Sequence, residues 1–424
     1  MVAMERREER EVLMQKKRLP WFAAFLPGIL VAATGVGAGD LFTATLAGSE
    51  VGLALLWAAA AGAFLKWTLN EGIARWQMAT DTTLLAGWMH RLGGWIQWVF
   101  MPYFFLWTFM VGGAMVNGCG VAGAALFPLG DMETSKIIWG IVHSLAGLGL
   151  VWFGGYKLFE KLMAASVAIM FTCVLLTAVL IGPDWGAVLR GALVPTIPPG
   201  STTWLLGVLG GVGGTVTLLA YGYFLREIGR TGEDGLKVSR MDLGVAYALT
   251  ALFGMAMIII GSRITIEGRG TGLFLEIAGQ LELVLGPAGK WMFLVGAWGA
   301  VFSSLLGVWY VTPYIFADFL ALRRGLAPGE YGKLELPKTR PYRAYLIGIA
   351  IVPLVLLWFS VRQIQLAYAV MGAMFMPLLA LTLLIMNNRE SWVRAWFRNG
   401  RFINAVLVIT LLFFTYIGVR QLGV

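Results

Sequence analysis

The sequence predicts an all-α integral membrane protein of about eleven transmembrane helices, and three observations predict it. Of its 424 residues, 58% are hydrophobic and only 13% charged, where a soluble chain carries about 25% charged residues. Mean hydropathy is +0.77. Apolar segments long enough to cross about 30 Å of hydrocarbon as helix recur along the whole chain, without the alternation of a lipid-facing β-barrel. This composition excludes a water-soluble enzyme.

The segments fall at 22–50, 52–79, 95–128, 136–154, 157–182, 203–229, 241–262, 288–320, 342–361, 363–387 and 402–423. Residues 1–21, with Glu5, Arg6, Arg7, Lys16, Lys17 and Arg18, lack the apolar core and cleavage site of a signal peptide and read as a cytoplasmic tail. With that tail inside, Arg91, Lys157, Lys161, Arg226, Arg230, Lys237 and the basic residues of 323–343 and 389–401 share its side. The opposite side receives only Lys136, Arg190, Arg263, Arg269, Lys290, Arg362 and Arg420. This positive-inside bias places the C-terminus outside a cell membrane that the chain crosses many times. Residues 22–182 and 203–387 then form two five-helix halves, and 402–424 adds an eleventh span. The outer connections 183–202 and 263–287 carry turn residues, and the inner linker 323–341 is charged.

The net charge of +9 sits in short clusters between spans rather than along one face, so it marks topology and not a nucleic-acid surface. Cys119 and Cys173 both fall in apolar segments, which indicates neither a disulfide framework nor a Cys-ligated metal. No Ser-His-Asp, His-Glu-x-x-His or P-loop pattern supports catalysis, and no cofactor is expected.

Two spans contain helix-weakening runs: Gly35-Val36-Gly37-Ala38-Gly39-Asp40 in the first and Gly210-Gly211-Val212-Gly213-Gly214-Thr215 in the sixth, five spans later. Glycine costs about 1 kcal/mol relative to alanine in a helix, and hydrocarbon offers no water to freed amides and carbonyls. Such backbone survives where it lines a cavity. Interruptions at corresponding places in two halves mark an inverted-repeat transporter with its substrate at the midplane. Close packing through small residues is the alternative.

Asp40 is the first candidate ligand, because a carboxylate near the membrane centre costs several kcal/mol unless it serves an ion, a proton or a partner charge. The carbonyls of Gly37, Gly39 and Gly214 and the hydroxyl of Thr217 complete an all-oxygen set suited to hard divalent cations. Asp40 is also a candidate helix cap, a role compatible with the first. In the second span, Lys66, Asn70, Glu71 and Arg75 put two charges in pairing distance, and Lys66 either snorkels or supplies a fixed positive charge in place of a coupling ion. Tyr221, Arg226 and Glu227, beyond the second break, are candidates for the pathway or an inner gate, with aromatic packing and interfacial anchoring as the plainer roles.

The run Pro27-Gly28-Ile29-Leu30-Val31-Ala32 before the first break, Ala47-Gly48-Ser49 after it, Ala74-Arg75 with Ala79-Thr80, and Gly214-Thr215-Val216 resemble the NRAMP-type (natural-resistance-associated macrophage protein) divalent-metal transporters in order and spacing. The resemblance covers essentially the whole chain. It implies the leucine-transporter (LeuT) fold, a 5+5 inverted repeat with discontinuous helices 1 and 6, and divalent-metal uptake often coupled to protons. The family's Asp-Pro-Gly-Asn motif reads here as Gly37-Ala38-Gly39-Asp40, and its Ala-Thr-Val-Met-Pro-His motif as Gly214-Thr215-Val216-Thr217-Leu218-Leu219. The carboxylate has moved, and the thioether that favours transition metals has become a hydroxyl. By the same alignment, acidic positions of the proton route fall on Gly112 and Met115, which carry no proton. These changes resemble those of NRAMP-related magnesium transporters. The chain is therefore expected to be a monomeric secondary transporter of a divalent cation, Mg²⁺ or Mn²⁺, by alternating access with weak or absent proton coupling. The alternative is the same fold carrying a small organic solute such as an amino acid, with the metal site lost.

Overall fold

The computed structural model describes residues 26–211, 213–264, 272–325 and 334–421. The tail expected at 1–21 lies outside them, as do parts of the connections at 263–287 and 323–341. The described chain is helical, with no strand among those residues. Eight helical stretches there are long and apolar enough to cross a membrane.

The first expected span is divided into α1 (Leu26–Gly35) and α2 (Ala38–Val51), and α3 (Leu56–Thr80) and α4 (Trp95–Leu126) follow. One long element, α5 (Met132–Leu180), covers the segments expected at 136–154 and 157–182. It turns at Gly155, whose φ of 62° and ψ of −179° suit a residue without a side chain. Asp131 starts it by accepting the amides of Glu133 and Thr134. The sixth span is α6 (Thr202–Gly211) and α7 (Ala220–Glu227), followed by α8 (Gly232–Gly261) and α9 (Leu273–Arg323), which turns at Gly286. The last elements are α10 (Arg340–Ile351), α11 (Val361–Ala373), α12 (Phe375–Met386) and α13 (Arg401–Gln421).

Two connections expected as loops contain helix. Asp184 caps a short helix over Trp185–Leu193, and α9 begins inside the segment 263–287 and enters the following span through Gly286. The seventh span also begins earlier than its apolar run: α8 starts at Gly232, nine residues before the expected 241. In these added turns Ser239 is buried, while Glu233, Asp234 and Lys237 remain exposed.

The broken helices lie at the centre. Helices α1 and α2 contact α8 and α9, α2 packs on α6, and α7 touches α1 and α3. Helices α4, α5 and α9 pack together on one side, α3 on α8 on another, and α11 covers α6 and α2. The stretch Thr202–Glu227 is the most enclosed of the eight candidate spans. A helix enclosed on all sides can afford unwound backbone, because neighbouring elements supply the hydrogen bonds that lipid cannot.

Candidate functional site

The two glycine runs break their helices side by side. A Cβ on Gly35 would lie 2.7 Å from the carbonyl carbon of Gly213, and one on Gly214 would lie 3.2 Å from the Cα of Gly35. Gly213 and Gly214 have φ of 79° and 84°, a conformation that L side chains rarely adopt. Close approach and left-handed backbone together require glycine here. The carbonyls freed at the end of α1 are met by α9: the Ser304 hydroxyl donates to Ala33 and Thr34, both at 3.2 Å, and Ser303 donates to Ala33 at 3.4 Å.

Asp40 joins the breaks. Fully buried, it accepts the Gly37 amide at 3.2 Å on Oδ2 and the Gly213 amide at 2.9 Å on Oδ1. The first contact is a cap, since an acidic side chain in the first turn of α2 reaches back to the amide preceding the helix. The second crosses to the other broken helix. Asp40 thus caps one half-helix and ties it to the second break.

Lys66 of α3 reaches the same place. It is 1% exposed, its ammonium donates to the Gly210 carbonyl at 2.8 Å, and it is the cationic charge that acts on Asp40. It does not snorkel. Tyr247 and Tyr368 stand close enough to feel the Asp40 charge, and Asn70 donates to the Tyr247 hydroxyl at 2.9 Å. Two buried oxygens of this region, Asn70 Oδ1 and Thr215 Oγ1, have no hydrogen-bond partner. Orphaned oxygens in a buried site suit a cation.

The other expected ligands separate. The Gly37 carbonyl accepts the Leu41 amide at 2.8 Å and is thereby committed to the first turn of α2, in which Gly39 also sits. Thr217 accepts the Thr215 amide at 3.3 Å, and among the described residues the Gly214 carbonyl accepts no turn, loop or cap amide. Among the described residues, no cluster of three or more His, Cys, Asp or Glu forms. A cation bound here would therefore be held by one carboxylate with neutral oxygens.

Glu71, a pathway candidate whose spacing also predicts a pair with Arg75, forms that pair within a structural ion cluster. It pairs with Arg75 at 2.5 Å and with Arg240 of α8 at 2.8 Å, and Arg75 donates on to the Phe397 and Arg398 carbonyls. Removing one member of a buried ion cluster leaves the others uncompensated, at a cost of about 3–5 kcal/mol. Glu71→Gln is accordingly expected to lower thermal stability strongly while its folded fraction still transports, measured by a melt alongside uptake normalised to folded protein.

Tyr221 is likewise held in place, donating to Asp242 at 2.9 Å. Asp242 also accepts the Gly28 amide at 2.9 and 3.1 Å and Arg230 at 3.2 Å, so it caps α1 from another element. Asp318 similarly accepts Thr83 at 3.0 Å and Tyr223 at 2.9 Å. Sequence reasoning missed both aspartates, whose only signal was a lone acidic residue within a span. Arg226 and Glu227 line a cavity of about 510 Å³ with Tyr156, Tyr310, Tyr314 and Arg343, and Glu227 accepts Tyr314 at 3.1 Å. That cavity does not include Asp40.

The family profile described as natural resistance-associated macrophage protein-like matches residues 28–422. The divalent metal cation transporter MntH of Chromohalobacter salexigens is 25% identical over 257 residues, a match spanning 58% of this chain and 58% of that relative. A crystal structure of a mutant Eremococcus coleocola manganese transporter superimposes with a TM-score of 0.72 at 17% identity, covering 96% of this chain and 88% of that one. The same transporter bound to an aromatic bis-isothiourea compound gives a TM-score of 0.70 at 18% identity, covering 93% and 85%. The structures share the fold, and the profile spans both breaks and nearly every helix: the chain belongs to the natural-resistance-associated macrophage protein (NRAMP) family.

Proposed function

We propose that the protein is a secondary transporter that moves a divalent metal cation, Mg²⁺ or Mn²⁺, by alternating access. One observation carries this reading: a fully buried carboxylate, Asp40, accepts amides from both broken helices at the centre of the bundle. The names of the relatives, a divalent metal cation transporter and a manganese transporter, support it. Asp40, the Gly214 carbonyl and the hydroxyl of Thr217 or the unpartnered one of Thr215 would supply the oxygens. Helices α1, α2, α6 and α7 would rock against the surrounding scaffold while the ion stays near the midplane. In this reading 22–182 and 203–387 are the inverted halves, and the protein works as a monomer in the cell membrane with its N-terminus inside and its C-terminus outside.

Proton coupling is weak or absent in this reading. Gly112 and Met115 are buried and carry no titratable group, and Gly112 is packed so tightly that an added Cβ would lie 2.5 Å from Pro353. Proteoliposomes loaded with a metal dye and a pH dye test both parts. Mn²⁺ or Mg²⁺ entry without acidification is the expected result; acidification that tracks metal entry refutes the uncoupled mechanism, and absence of metal entry refutes the substrate.

A second reading is favoured by Lys66, whose charge already faces Asp40. The scaffold would then carry a small organic solute such as an amino acid, whose carboxylate half-helix N-termini can hold. Solute uptake that is insensitive to metal and survives Asp40→Ala would favour it.

A further inference from the structure

We propose that the ammonium of Lys66 is a tethered cation occupying the substrate position between the two breaks, and that an incoming metal ion must displace it. The position is defined by geometry. Helix α6 ends at Gly211, and the carbonyls of its last turn carry the partial negative charge of a helix C-terminus. Lys66 Nζ lies 2.8 Å from one of them, Gly210 O. The stem approaches the second break closely: a Cβ on Gly213 would lie 3.6 Å from Lys66 Cδ. Asp40 bridges that same residue through its amide. The ammonium therefore sits on a helix-end carbonyl beside the break that Asp40 ties, the surroundings that a discontinuous helix offers a cation.

Lys66 is attached to α3, which is continuous through this depth, so its ammonium cannot leave with the substrate. Tethering gives it an effective concentration of about millimolar or more. A free ion must outcompete that concentration and the repulsion of a like charge beside it. The side chain would thus set the affinity of the site and keep Asp40 compensated whenever no ion is bound. A lysine that served only as a structural tie between α3 and α6 would show neither effect.

This inference rests on reading the breaks as the substrate site, and the experiment separates the two. The intact chain, Lys66→Met and Asp40→Asn/Lys66→Met are purified into lipid nanodiscs and melted against increasing MgCl₂, MnCl₂ and ethylammonium chloride. Lys66→Met is expected to melt lower without added ions and to rise by about 3 °C or more with at least one of these cations, at concentrations at least about tenfold below any that shift the intact chain. The double variant should show no such rise. A Lys66→Met protein unmoved by all three cations overturns the inference, as does an equal shift in the double variant. Should Lys66→Met not survive purification, the double variant decides: a folded protein supports compensation of Asp40 by Lys66, and an unfolded one overturns it. Metal flux through the intact chain is read separately. Cation-stabilised Lys66→Met with no metal flux by the intact chain leaves the tethered cation standing and removes the metal-transport reading; flux with an unresponsive Lys66→Met does the reverse.

Discussion

Asp40→Ala is expected to abolish cation uptake and to lower stability by about 3–5 kcal/mol, the cost of leaving a buried charge without its partner. Lys66 is 1% exposed and the charge on Asp40 is the one acting on it, so truncation strands the ammonium. The Gly37 and Gly213 amides lose their acceptor in the same step. A hydrogen bond to a charged group is worth about 1.5–3 kcal/mol, and both of these amides lie where water is scarce. Asp40→Asn separates the two roles. An asparagine retains one carbonyl oxygen and nearly the same volume, so it can still cap α2, but it offers no charge to a cation. Asp40→Asn should recover only the part of the stability that comes from the cap on α2, since it leaves Lys66 as uncompensated as alanine does, while metal uptake in proteoliposomes stays absent. Metal uptake by folded Asp40→Ala would remove the carboxylate from the transport site altogether.

The fold was legible because two signals are strong and local. Apolar segments of membrane length are set by composition alone, and the glycine runs at 35–39 and 210–214 place the breaks, since few other residues could leave a buried helix at Gly213 and Gly214. Asp40 stood out for the same reason, as a charge inside such a run. Its partners were harder to read. That Lys66 meets Gly210 depends on how α3 packs beside α6, a contact between residues 144 positions apart. The pairing of Glu71 with Arg75 was readable from their spacing, but Arg240 and the Phe397 and Arg398 carbonyls that complete the cluster come from distant segments, the latter two more than 300 residues downstream. Asp242 offered only the signal of a lone acidic residue at the start of the span expected at 241–262; ten residues of helix precede it, and its partners Gly28 and Tyr221 come from elsewhere in the chain.

Asp242 holds the inner-facing end of α1 in the orientation proposed here. Both carboxylate oxygens accept the Gly28 amide, in the first turn of α1, where helix amides have no partner of their own. Arg230 and Tyr221 hold the carboxylate from the other side. If α1 moves during alternating access, this contact has to open, and its strength sets how readily the inner end of α1 departs. Asp242→Ala should therefore accelerate amide hydrogen exchange in peptides covering Leu26–Val36 by about tenfold or more, the equivalent of losing one charged hydrogen bond. Global stability should fall as well, by about 3 kcal/mol, since Arg230 loses a buried counter-charge. The discriminating control is Tyr221→Phe, which removes one donor to Asp242 but leaves the bond to Gly28 intact. Its exchange in α1 should stay close to that of the intact chain. Equal acceleration by both variants would mean that loosened packing around α8, rather than the cap on α1, governs the motion.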